Sequence, residues 1–345
     1  MKNQTISWRY VSIIIGILLL FAAYKFVADL FLNNVGDNVN QPTYIYIQSN
    51  ESFDRLIYNL DKDHILKNVE SFERVAKLLK LDDSVKSGRY KIGNNMSNLA
   101  LVRLLKSGKQ EPVNLVLKYA RRTGNLASAI SKQIEPDSTE LMNAFNDTSF
   151  FYKIGFDSNN IISLFVPNTY NVYWNITPKK FMERMKREYD VFWNSNRTTK
   201  AILLKLSPLQ VSTLASIVMS ETNKVDEMPI VARAYLNRMQ KGMPLQADPT
   251  VIFALHDDSI RRVLHQHTLF DSPYNTYLYK GLPPGPICMA SPAAIDAVLN
   301  APLHNYIYFC AKEDFSGYHN FAGTLEQHNV NARKYQRELS RRGIN

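Results

Sequence analysis

The chain has 345 residues, 45% hydrophobic and 21% charged, with 13 Gly and 15 Pro, which places it among ordinary globular chains and excludes a disordered or fibrous one. At roughly 150 residues per domain the length allows about two domains. With only Cys288 and Cys310 available, neither a disulfide-stapled miniprotein nor a cysteine-based metal cluster is open to it. Forty-one Lys+Arg against 31 Asp+Glu give a formal charge of +10, which favours an acidic partner: nucleic acid, anionic lipid headgroups or a carboxylate-bearing polymer. The basic residues come in scattered pairs, Arg121-Arg122, Lys179-Lys180, Arg261-Arg262 and Arg341-Arg342; without a long basic run, no nucleic-acid partner is expected and a solvated basic surface is the plain alternative. Cys288 and Cys310 would pair only in an oxidising compartment, and free buried cysteines are the commoner case.

The first firm feature is an apolar run from Tyr10 to Ala28, with Lys25 as its only charge. A helix needs about 20 residues to cross the hydrocarbon core, and a lysine near its end can snorkel to the headgroups. The alternative is a cleaved signal peptide. That requires a small-residue cleavage site, whereas Ala22-Ala23 is followed by Tyr24, Lys25 and Phe26, and no lipidation cysteine follows. An uncleaved anchor is the favoured reading. Lys2 and Arg9 keep the N-terminus cytoplasmic by the positive-inside rule, so the remainder is expected outside, in the periplasmic or extracytoplasmic space.

Asn33 to Thr43 is polar and turn-rich and reads as a tether. A β-α-α-β order comes next: a strand at Tyr44–Ile47, helices at Ser52–Leu60 and Ser71–Leu79, and a strand at Gly88–Ile92. A helix from Ser97 to Leu105 closed by Gly108, a strand at Val113–Leu117, and helices at Leu126–Ile134 and Phe181–Trp193 lead into a mostly helical middle region.

Ser207-Pro208-Leu209-Gln210 combines an N-cap serine, proline at the first helical position and glutamine at the third, so a helix starts there. Leu214, Ile217 and Val218 form its apolar stripe, and Glu221 continues that face. A carboxyl aimed at the core is held toward its protonated form, the state a general acid needs. A frayed helix end with Glu221 in water fits the spacing equally well. A second helix, Pro229 to Gln240, ends at Gly242 and sets Ile230, Ala234 and Asn237 on one side. Leu245 to Thr250, containing Gln246 and Asp248, reads as a polar turn, although Asp before Pro-Thr is also an ordinary helix cap. Ser272 to Tyr277 and Gly281 to Ile287 form an aromatic, proline-rich loop whose rings could stack on sugars, core aromatics being the alternative. Tyr306–Phe309 and His319–Phe321 read as strands, and Thr324–Leu339 as a helix bearing His328.

The strings ASIVMSET (215–222), VARAYLNRMQKGMPLQADPTVIFAL (231–255), SPYNTYLYKGLPPGPI (272–287) and YHNFAGTLEQHN (318–329) resemble, in order and spacing, the YceG-like family of membrane-anchored endolytic murein transglycosylases. Upstream, Ser87 to Tyr90 and Leu105 to Gly108 look like that family's LysM-like module, and Phe165 to Tyr170 like its Phe-x-Pro-Asp-Thr-Tyr segment, with Asn168 where Asp is usual. The resemblance implies an α+β chain with residues 1–9 cytoplasmic, a single transmembrane helix over 10–30, a linker over 31–43 and a LysM-like β-α-α-β module over 44–110. A connecting part over 111–204 and a mixed helical and strand catalytic domain over 205–345 complete it.

The resemblance also implies a chemistry: cleavage of the β-1,4 bond between N-acetylmuramic acid and N-acetylglucosamine within a peptidoglycan strand, without water as nucleophile. Family members usually carry two glutamates in the first block, the second being catalytic; it falls on Glu221, and Met219 stands at the first. Glu221 would protonate the leaving oxygen and then take the proton of the muramyl C6 hydroxyl, leaving a 1,6-anhydro end. One carboxyl then suffices where most glycoside hydrolases need a pair; Asp226, Glu227 and Asp248 are the carboxyls available as a second. Gln246, Asp248, Tyr274, Asn275 and Thr276 are the expected substrate-orienting residues, followed by Asn237, His319 and His328. Association with peptidoglycan synthases and a role in terminating nascent glycan strands are likewise implied. No cofactor is expected. His265-Gln266-His267 could be half a metal site, but no His-Glu-x-x-His motif accompanies it. The competing readings are a lysozyme-type hydrolase and a non-catalytic glycan-binding scaffold.

Overall fold

The computed structural model describes residues 8–36 and 43–343. Lys2, the side chain of Arg9 and the middle of the expected linker lie outside the described residues. The chain divides into two compact units, one of residues up to 114 with 133–135 and 171–176, the other of 115–132, 136–170 and 177 onward. The stretches read as a connecting part thus fall mostly into the same unit as the residues after 205.

The first unit opens with α1 (Trp8–Phe31), whose segment Tyr10–Phe31 is long and apolar enough to cross a membrane and is uncovered by the rest of the protein up to its last turn. The last turn of α1 is joined to the remainder of the unit. Asp29 pairs with Arg74 at 2.8 Å, Asp29 O accepts from Asn98 Nδ2 at 2.8 Å, and Leu30 packs on the core of the unit. Then come β1 (Thr43–Ile47), α2 (Phe53–Lys62), α3 (Val69–Leu78), β2 (Gly88–Ile92) and α4 (Asn98–Ser107), so the β-α-α-β order is present. β1 and β2 are antiparallel, with Ile45 opposite Tyr90. The period-two alternation of a strand turns Ile45, Ile47, Tyr90 and Ile92 into the core, where Leu56, Leu60, Phe72 and Leu101 meet them. Ser52, Asn68 and Ser97 cap the three helices, and Gly108 takes the left-handed φ of 69° that closes α4.

The expected tether differs in its first residues. Asn33 bridges Ser97, Val35 bridges Leu66 and is fully buried, and buried Asn34 donates to Asn68 O at 2.8 Å and to Asn98 Oδ1 at 2.6 Å. A buried asparagine is tolerated when its amide is fully partnered, so polar composition here marks a hydrogen-bond network instead of solvated chain.

The second unit contains α5 (Thr123–Ser131), α6 (Ser138–Phe145), α7 (Thr148–Ile154), a 3-10 turn (Ile161–Leu164), α8 (Pro178–Phe192), α9 (Ser195–Leu203), α10 (Pro208–Glu221) and α11 (Met228–Gln240). After these come α12 (Asp248–Leu255), α13 (His265–Thr268), α14 (Pro292–Leu299), the antiparallel hairpin β5 (Tyr308–Ala311) and β6 (His319–Ala322), and α15 (Leu325–Arg341). Two further strands, β3 (Val113–Leu117) and β4 (Asn168–Val172), pair with each other.

At the centre lies α10, begun by a capping box in which Ser207 Oγ accepts from Gln210 N and Gln210 Oε1 from Ser207 N. Every residue from Val211 to Val218 is buried, so the helix is enclosed all round instead of presenting one stripe. Its hydroxyls satisfy themselves locally: Ser212, Thr213 and Ser216 return hydrogen bonds to carbonyls three or four residues back. The proline-rich loop docks on this helix through Ile287 N, which donates to Ser216 Oγ at 3.0 Å. The same loop passes close to the Asn159 backbone at Gly285, where a Cβ would stand 2.0 Å from Asn159 O. Cys288 is buried, Cys310 half-buried, and both are free thiols.

Candidate functional site

Glu221 is the last residue of α10, and Thr222 beyond it is extended at φ −141°, ψ 140°. Its carboxyl projects into a cavity of about 450 Å³ walled by α11, α12, the β5/β6 hairpin and α15. Burial pushes the carboxyl from its ordinary 4.5 up to about 7, opposed by a hydrogen bond from Tyr235 and assisted by the charge of Asp248. The C-terminal end of the helix dipole acts in the same upward direction, because it disfavours a negative charge. Glu221 therefore sits near neutrality between acid and base, the condition for a group that both gives and takes a proton.

Tyr235, in the middle of α11, donates to Glu221 Oε1 at 2.6 Å, and Phe309 meets its ring edge-on at 5.6 Å. One turn further along the same helix, Arg238 enters the cavity, donating to Gln246 Oε1 and to Leu245 O. Burial lowers the Arg238 pKa from its ordinary value. Its Nε has no hydrogen-bond partner among the described residues; nor has Nδ1 of His328, which stacks on Tyr308. Buried polar atoms without partners cost free energy, and both of these belong to residues that line the cavity. Gln246 is held in the left-handed region at φ 53°, a strained position for a side-chain-bearing residue. Asp248, the first residue of α12, accepts from the hydroxyl of Tyr277. Behind the cavity-lining His319, Glu227, only 3% exposed, accepts from His319 N at 2.7 Å and sits 2.9 Å from His319 Nδ1, which orients the ring.

The family model of the YceG-like family matches residues 45–334. The chain belongs to the YceG-like family. Among curated relatives, it is 26% identical to the endolytic murein transglycosylase of Bacillus subtilis, the match covering 84% of each chain. It is 24% identical to the endolytic murein transglycosylase of Streptococcus pneumoniae, the match covering 94% of this chain and 64% of that longer relative. Among solved structures, a YceG-like protein of Listeria monocytogenes superposes with a TM-score of 0.55 at 24% identity, over 84% of this chain and 99% of that one.

In this YceG-like chain the residues singled out from the sequence divide into two groups. Glu221, Gln246, Asp248, His319 and His328 line the one cavity. Asn237, Tyr274, Asn275 and Thr276 do not. Asn237 faces away from it, donating to His304 O and Tyr306 O. Asn275 is fully buried and ties Thr268 O and Phe270 O, bracing its own loop, while Thr276 accepts from Ala247 N and bonds Thr250, bracing the loop that carries Gln246 and Asp248. Tyr274 packs on Phe253 in a separate hollow. Of the three further carboxyls, only Asp248 lines the cavity; Asp226 pairs with the Tyr318 hydroxyl and Glu227 with His319.

Sequence reasoning misses Tyr235, Arg238, Tyr277 and Tyr308. Tyr235 and Arg238 stand within the matching block, but choosing Asn237 fixes a different helix face, and one residue is a rotation of about 100°. Among the described residues no group of three or more His, Cys, Asp and Glu is placed to hold a metal ion, and His267 spends Nδ1 on Leu264 N at 3.1 Å.

Proposed function

We propose that this chain is an endolytic peptidoglycan lytic transglycosylase, cutting the β-1,4 bond between N-acetylmuramic acid and N-acetylglucosamine inside glycan strands. The observation that carries this reading is the carboxyl of Glu221, raised to about 7 in a polar cavity and braced by Tyr235, in a member of a family whose curated relatives bear that activity in their names. Protonated Glu221 donates to the glycosidic oxygen as its bond to C1 of the muramyl residue breaks. The resulting carboxylate then accepts the C6 hydroxyl proton as that oxygen bonds to C1, so no water is consumed and a 1,6-anhydro end remains. Gln246, Asp248, His319 and His328 orient the strand, and Arg238, which lines the cavity, sets its positive charge beside developing negative charge on a substrate oxygen. One carboxyl serving in both steps accords with Glu227 being engaged by His319.

In the same reading α1 anchors the chain in the cytoplasmic membrane with its N-terminus inside and the remainder outside. The unit of β1, α2, α3 and β2 acts as a LysM-like glycan-binding module next to the bilayer. Cutting nascent strands there would end their elongation beside peptidoglycan synthases.

The test uses the full-length chain in detergent, wild type beside Glu221→Gln, on purified peptidoglycan, with products identified by mass spectrometry. Muropeptides lighter by one water, released from strand interiors by the wild type alone, are the expected result. Hydrated reducing ends would establish a hydrolase instead, and no product from the wild type would overturn the enzyme reading and put the glycan-binding scaffold first.

A further inference from the structure

The second unit holds another hollow, of about 320 Å³, at the far end of α12. Asp248 begins that helix in the Glu221 cavity, while Phe253 and Ala254 in its last turn line this one. At a rise of 1.5 Å per residue, Asp248 and Phe253 are about 8 Å apart along the helix, a short distance beside a glycan strand that carries its peptides.

Its chemistry differs from that of the first. Arg121 and Arg122 form one wall, and among the described residues no Asp or Glu lines it. The Arg122 guanidinium lies 4.7 Å over the Phe253 ring and makes a long hydrogen bond, 3.4 Å to Phe253 O. Arg121 is held 3.0 Å from Asp258, a largely exposed carboxylate that an incoming anion can replace. Tyr274 packs on Phe253 with ring centroids 4.9 Å apart, giving an apolar shelf beside the two cations. Sugar rings are neutral, whereas the peptides carried by muramyl residues end in carboxylates. Two planar five-donor forks with few partners of their own match a carboxylate in geometry as well as in sign.

We propose that this hollow is a stem-peptide site, in which Arg121 and Arg122 bind a free carboxylate of the peptide on a muramyl residue near the bond held at Glu221, while Phe253 and Tyr274 cover its apolar part. The proposal rests on the transglycosylase reading for its substrate. It makes the positive charge at this place a determinant of which strands are chosen: those whose stems are present and charged.

The test uses full-length protein in detergent and uncrosslinked peptidoglycan strands whose stem carboxylates are either free or blocked as methylamides. Binding is measured on protein carrying Glu221→Gln, which keeps the strands intact, with and without Arg121→Gln and Arg122→Gln. Blocking the carboxylates is expected to weaken binding by about tenfold or more, the range for a hydrogen bond to a charged group. Removing both arginines is expected to give the same loss on free strands and little additional loss on blocked ones, the non-additivity of groups in contact. Independent, additive losses, or equal losses on both strands as a misfolded variant would show, overturn the site. Cleavage by the wild type is followed in parallel. Charge-dependent binding without cleavage would refute the activity and leave the site standing, whereas cleavage indifferent to stem charge would refute the site alone.

Discussion

The phenolic O–H of Tyr235 donates to Glu221 Oε1 across 2.6 Å, joining the last residue of α10 to the middle of α11. Two opposed effects meet at that oxygen: burial favours the neutral acid, and the Tyr235 hydrogen bond favours the carboxylate. Which form dominates near neutral pH is set by their difference, and the phenol can be removed without touching the burial.

Tyr235→Phe deletes that hydrogen bond and nothing else of the ring. The Glu221 pKa is then expected to rise above its present value of about 7. Bond cleavage needs the acid form and falls as pH climbs through this pKa, so in the variant that alkaline limb moves to higher pH. A pH–rate profile of wild type and variant checks it; limbs that coincide would show that Tyr235 does not tune the acid.

Glu221 also governs stability. Its folded pKa of about 7 lies above the ordinary 4.5, so between these values the folded chain keeps a proton that the unfolded chain has released. The favourable contribution is therefore complete below about pH 4.5 and is lost as pH rises through about 7. Glu221→Gln removes the ionisation. Its Tm relative to wild type is expected to increase across that window and level off above it, as read by thermal unfolding in a pH series. A constant difference would contradict the raised pKa.

Gly285→Ala places a methyl 2.0 Å from Asn159 O and 2.7 Å from its carbonyl carbon. Backbone cannot yield as a flexible side chain does, so a loss of about 1–3 kcal/mol is expected, the usual cost of overpacking. Chemical denaturation of the full-length protein measures it, and an unchanged midpoint would mean that the loop moves freely from Asn159.

Asn98 ties three segments of the first unit, donating to Asp29 O and Ser71 Oγ while accepting from Asn34. Asn98→Ala leaves those buried groups short of partners, at a cost of about 1–3 kcal/mol. Hydrogen exchange is expected to show lost protection at Asn34 and Val35, with α10 unaffected. Protection that persists at both would show the network to be redundant.

Much of the architecture was legible because its signals act over a few residues. Ser207-Pro208-Leu209-Gln210 announces the start of α10 through capping alone, and β2 and β3 have the predicted bounds because alternation and Gly88 are local facts. The apolar run at α1 needed only a count of residues. Less was legible where a short polar stretch is itself structural. Asn33 to Gly36 reads as a tether and is part of the packed unit, and Asp248-Pro249-Thr250, open between a polar turn and a helix start in the sequence, begins α12.

Membership of the site was decided by the fold. Glu221 was visible as a carboxyl on an apolar helix, but spacing could not separate a cavity from a frayed end; α11, α12 and the β5/β6 hairpin make the difference by enclosing it. Asn237 and Tyr235 lie two residues apart on one helix, and only the packing of that helix turns the tyrosine toward Glu221 and the asparagine toward His304. In the same way, Tyr277 reaches Asp248 while Tyr274 lies against Phe253. Capping and periodicity specify an element from its own residues, whereas a cavity is specified by the rotation and approach of elements distant in the chain, which no local pattern encodes.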